Sequence, residues 1–86
     1  MPPDATAPAR YRLDLTLRQA EGALARVLGT TERRGYRPVA LDGDTGTDAR
    51  GWRLCMTVEG DRGADGLRTQ LAKLHDCLQV EVSPCR

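Results

Sequence analysis

The chain has 86 residues, with 13 lysines and arginines against 12 aspartates and glutamates, for a formal charge of +1. That is the length of one domain, and so even a balance gives no electrostatic reason to expect nucleic acid or an anionic membrane as a partner. Three cysteines without a C-x-x-C pair argue against a disulfide framework or a zinc module and point to a reducing cytoplasm.

No apolar run approaches the roughly 18 residues of a membrane span, and the N-terminus lacks a signal-peptide core. With no Phe, and only Tyr11, Tyr36 and Trp52 as aromatics, the core must be aliphatic. Residues 1–10 hold Pro2, Pro3 and Pro8 without apolar periodicity, which predicts a disordered leader. Tyr11, Leu13, Leu15 and Leu17 then alternate with Arg12, Asp14 and Thr16, the pattern of a half-buried strand. Arg18 to Gly22 forms the loop out of it. Leu24, Val27, Leu28 and Thr31 follow at i, i+3, i+4 and i+7, which predicts a helix with one stripe facing a core. Arg33 and Arg34 suit its C-terminal dipole, and Gly35 supplies a left-handed stop. Gly29 in mid-helix costs about 1 kcal/mol relative to Ala, for close packing or by accident.

Tyr36 to Leu41 reads as the second strand, where Pro38 argues for an edge or a strand start. Asp42 to Gly51 reads as a polar loop. Its Asp42, Asp44 and Asp48 fall short of a calcium loop, because Gly46 stands where the third ligand belongs and Arg53 where the bidentate Glu belongs. Trp52 to Glu59 is a third strand, with Trp52, Leu54, Met56 and Val58 on one face. Leu67, Leu71 and Leu74 mark a second helix ending near Asp76. Leu78, Val80 and Val82, with Gln79 and Glu81 outward, predict a last strand before a short tail. The order βαββαβ with right-handed crossovers predicts an α+β, ferredoxin-like sandwich. Its four-stranded antiparallel sheet carries both helices on one face, over a domain of residues 11–83 with a tail at 84–86.

That fold serves many functions, so residues must decide. Arg50-Gly51-Trp52 opens like an RNA-recognition strand, but Arg53, Leu54 and Cys55 break the signature, with Leu54 in a stacking position. The first loop lacks the paired cysteines of a metallochaperone. It has Arg18 but no glycine cradle of an acylphosphatase. No Ser/His/Asp or Cys/His set is present, and His75 reads as an exposed dipole partner near a helix end. A non-catalytic protein without cofactor or metal is expected.

Glu21-Gly22-Ala23-Leu24-Ala25-Arg26-Val27 followed by Arg33-Arg34-Gly35-Tyr36 resembles the ACT domain motif, in which Pro-Gly-x-Leu-x-Arg-Val/Ile leads through a helix to Arg-Gly-Phe-Asn-Ile. Gln70-Leu71-Ala72-Lys73-Leu74 and Val80-Glu81-Val82 are similar to the second half of the same pattern. Within the family, the chain looks most like the short regulatory small subunit of acetolactate synthase. The resemblance implies a homodimer joined through the second strand, with an amino acid bound at the seam. It also implies the acetolactate synthase large subunit as partner, in branched-chain amino acid biosynthesis. Gly22 matches the position where backbone N–H groups meet the ligand carboxylate; it either admits the ligand or relaxes a turn. By resemblance the ligand-binding residues are Gln19, Ala20, Glu21, Gly22, Ala23 and Arg37. Valine-sensitive subunits carry Asn where Gln19 and Arg37 stand, and Pro where Glu21 stands. Arg37 can attract a carboxylate or pair with Glu21, and weak or absent valine sensitivity is expected. The alternative is a free-standing ACT module that senses an amino acid and regulates another protein.

Overall fold

A computed structural model describes residues 9–44 and 51–85. In chain order the elements are β1 (Ala9–Leu17), α1 (Ala23–Arg33), β2 (Arg37–Asp44), β3 (Trp52–Gly60), α2 (Asp65–Ala72) and β4 (Cys77–Pro84). The strands form one antiparallel sheet in the order β2-β3-β1-β4, so β2 and β4 are its edges. This is the βαββαβ ferredoxin-like arrangement that the hydrophobic pattern predicts.

The inner strands keep strict alternation. Leu13, Leu15 and Leu17 lie opposite Met56, Leu54 and Trp52, and every one of them except Trp52 is buried. Val27 of α1 and Leu67 and Leu71 of α2 close the same cluster from above. Each such Leu contributes roughly 1.5–3 kcal/mol by leaving water. Thr31 is fully buried among them, and its hydroxyl donates to the Val27 carbonyl at 2.8 Å, which removes the cost of a polar group in the core. The opposite face, with Arg12, Asp14, Arg53, Cys55 and Glu59, carries no helix among the described residues.

Both outer strands carry a bulge, while β4 keeps Val80 and Val82 inward and Gln79 and Glu81 exposed as the sequence predicts. β2 carries a bulge between Pro38 and Ala40 that leaves Val39 without an opposite residue. The extra residue turns Leu41 to the Met56 side, where it stays 48% exposed, with Val39 40% exposed. β4 carries a second bulge, pairing Thr16 with Gln79 but Leu17 with Cys77. Cys77 therefore takes the core position expected for Leu78 and packs against the central cluster.

Several boundaries also move. β1 begins at Ala9, two residues inside the expected leader, and Arg10 pairs with Glu59 at 2.7 Å; residues 1–8 lie outside the described residues. Tyr36 is not in β2, because its N–H caps α1 by donating to Thr31 O at 3.2 Å while Gly35 N–H donates to Glu32 O at 3.0 Å. With Gly35 at φ +88, this is a Schellman stop. β2 instead runs on through Asp42 and Asp44, which the sequence assigns to a loop; Asp48 lies outside the described residues. α2 stops at Ala72, four residues short of Asp76, as Lys73 and Leu74 tighten into bonds three residues back. β4 extends to Pro84, and Cys85 N–H donates to Arg10 O at 2.9 Å, so the expected tail is tied to the sheet. Trp52, half-buried at the start of β3, covers Gly43, where an added Cβ would stand 2.7 Å from the indole Cζ3.

Candidate functional site

The β1–α1 loop, Arg18 to Gly22, leaves the sheet at the end where Leu17 meets Trp52. Gly22 is the N-cap of α1 in the left-handed conformation, φ 80, and offers no side chain to the helix. No acidic residue occupies the first turn, and no side chain caps it. Ala23 N–H donates to Ala20 O at 3.1 Å, which leaves the Leu24 and Ala25 N–H groups as the uncapped donors of this helix end, an arrangement suited to a carboxylate or another anion.

Arg26 holds this loop from the next turn of the helix. Its Nη2 donates to the Glu21 carbonyl at 2.8 Å, and its Nε donates to the Asp76 carboxylate, whose side chain is only 6% exposed. The Arg26 guanidinium holds the Asp76 carboxyl below its ordinary range. Arg18 makes the second tie, with its N–H on Asp76 O at 2.7 Å and its Nε on His75 O at 2.9 Å. Neither Arg18 nor Asp76 is among the residues that the resemblance selects. Arg26 is in the motif, but its partner is fifty positions away along the chain, and no local spacing signals it.

Of the selected residues, Gln19, Ala20, Glu21 and Gly22 are exposed together on the loop. Ala23 is 2% exposed, so its side chain packs inward and only its backbone faces the loop. Arg37 lies elsewhere. It opens β2 beside Glu59, at the opposite end of the sheet, and the strand register puts it roughly 20 Å from the Asp44 end. Its Nη2 donates to Glu59 Oε1 at 2.6 Å, so within one chain it pairs with Glu59 and not with Glu21. Glu59 is shared with Arg10, and the two guanidinium groups hold its carboxyl below the usual range.

A polar depression of about 230 Å³ opens on the helix-free face, between Arg12, Asp14, Asp42, Arg53 and Cys55. Burial and the neighbouring Asp14 push the Cys55 thiol up, away from a reactive thiolate. Among the described residues no group of three or more His, Cys, Asp and Glu side chains could hold a metal ion. No helix of the described residues is long and apolar enough to cross a membrane.

A search of curated proteins finds no match to the chain. The family model described as the ACT domain matches residues 19–80, which takes in the loop from Gln19 onward, both helices, β2, β3 and the first half of β4. ACT domains are regulatory modules that respond to small ligands and carry no catalysis of their own. The match spans well over half of the chain, with the glycine-capped loop at its start and α1 through β4 in the order of the fold, and this protein belongs to the ACT domain family.

Proposed function

We propose that this chain is a non-catalytic regulatory small subunit that binds and activates the acetolactate synthase large subunit in the cytoplasm, with an amino-acid site at the β1–α1 loop. The observation that carries the reading is the uncapped N-terminus of α1 behind a left-handed Gly22, the feature that a ligand carboxylate requires. The motif from Glu21 to Tyr36 supports the choice of enzyme, and Gly35 ends α1 as that motif demands.

Dimerisation through β2 completes the reading. β2 is an edge strand, and it carries the two large apolar side chains, Val39 and Leu41, that are most exposed among the described residues. Pairing two β2 strands antiparallel about a twofold near Ala40 and Leu41 would set Arg37 of the partner subunit beside Asp44. That is the end of the sheet that bears the loop. Arg37 is thus at the far end of the sheet from Gly22 in one chain and at the same end as the loop across the seam.

Reconstitution tests the proposal. Added to a cognate large subunit, the protein should raise acetolactate formation while turning over no pyruvate alone. Unchanged synthase activity with a verified cognate subunit would remove the regulatory-subunit reading. The second reading, a free-standing amino-acid sensor, is favoured by the same loop geometry and would then be pursued by a calorimetric screen of amino acids.

A further inference from the structure

The β1–α1 loop is tied to one turn distant in sequence, His75–Asp76 before β4, and Arg26 joins the parts. Its Nε lies on the Asp76 carboxylate, its Nη2 on the Glu21 carbonyl at 2.8 Å, and its Nη1 stands 2.8 Å from where a Cβ on residue 22 would be. One guanidinium therefore touches helix, loop and turn at once. Asp76 is a fixed anchor: its side chain is buried, and its backbone carbonyl already accepts the Arg18 N–H at 2.7 Å. Because Nε and the two terminal nitrogens share one plane, fixing one edge on Asp76 fixes the direction in which the other meets Glu21.

We propose that Arg26, anchored on Asp76, is the positioning residue of the ligand-receiving loop. It holds Glu21 and Gly22 so that the uncapped N–H groups of α1 face outward, and it touches no ligand itself. The proposal rests on the amino-acid-site reading for the ligand alone, since the arrangement exists without one. The charge of Arg26 is matched by Asp76, so attraction of an anion falls to the helix end and to Arg18, whose Nε rests on a neutral carbonyl, His75 O.

A residue that merely satisfied the buried Asp76 charge could be replaced by Lys. A positioning residue could not, because an ammonium lacks the fork that spans Asp76 and Glu21. Hydrogen exchange on the full chain, without ligand, separates the two. In Arg26→Lys the amides of Ala20 and Ala23, both bonded within the loop, should exchange about ten-fold faster, while Leu15 and Met56 in the inner strands keep their rates. Arg26→Met should show the same local loosening with lower overall stability, and Asp76→Asn gives a second route to it should the Met variant fail to fold. Wild-type exchange at Ala20 and Ala23 in Arg26→Lys would overturn the proposal. Acetate, followed at the Gly22 and Leu24 amides, probes the binding half. Affinity about ten-fold weaker in Arg26→Lys, near 1.4 kcal/mol, supports positioning, and equal affinity overturns it. Acetate that perturbs neither amide in the wild type would sink the loop-site reading, while the exchange pattern still decides the role of Arg26.

Discussion

Tyr36 rests against Gly60. A Cβ added at residue 60 would stand 2.7 Å from the ring Cε1, and the phenol donates to Gly63 O at 2.5 Å. The residue that ends α1 thus also seals the end of β3. Gly60→Ala should destabilise by about 1–3 kcal/mol through overpacking. Tyr36→Phe, which keeps the ring and loses the bond, should cost about 1 kcal/mol. Urea denaturation of both variants gives the ranking, and a Phe variant that suffers more than the Ala variant would contradict it.

Acid should weaken the fold through two carboxylates. Asp76 and Glu59 are both held below their unfolded values by arginine partners. A lowered folded pKa stabilises above the unfolded value, near 4, and that contribution disappears as pH falls through the folded value. Denaturation midpoints should therefore be flat above about pH 5 and decline below pH 4. Asp76→Asn should flatten part of that decline, so superimposable profiles for the two proteins would speak against the pairing.

The exposed β2 edge predicts assembly. The protein should be a homodimer in solution, and Leu41→Lys should shift it to monomer with its circular dichroism unchanged, because an edge lysine opposes strand pairing. Light scattering decides, and a wild-type monomer independent of concentration would end the seam proposal.

Gly22→Asp should impair function beyond its cost in stability. The left-handed backbone at φ +80 costs roughly 1–2 kcal/mol with a side chain. The new carboxylate would also press on an Arg26 that Asp76 and Glu21 already hold, beside the Glu21 charge. Reconstituted synthase activity should fall while the fold persists in circular dichroism. A folded variant with full activity would make Gly22 a structural glycine only.

Valine should bind weakly or not at all, since Gln19 and Arg37 replace the two asparagines of valine-sensitive subunits. Calorimetry that returned a micromolar dissociation constant, about −8 kcal/mol, would show that these replacements do not disable the site.

The inner strands were readable because nothing interrupts their alternation: Leu13 to Leu17 and Leu54 to Val58 keep one phase across the whole pairing. In β4 the same alternation holds for Val80 and Val82, and it fails only at the bulge, which consumes a residue that periodicity cannot see and brings Cys77 rather than Leu78 to the core. α2 has no glycine to mark its end, unlike α1 with Gly35, so the apolar spacing of Leu67, Leu71 and Leu74 runs past the helix that forms. At the loop, Gly22 was visible from its motif. The Asp76 anchor was not, because a contact across fifty residues exists only once the sheet order is fixed. Arg37 carried the opposite lesson: it shares the resemblance with Gly22, yet β2 delivers it to the far end of the sheet.

The indole over Gly43 provides the molecule with its own optical gauge. Trp52 is the single tryptophan, half-buried, where β3 starts and next to the free strand. Its emission senses the polarity and packing around the β2 border with no dye or tag. Docking of a second sheet against that border should therefore register as a change in intrinsic fluorescence, and dilution should reverse it.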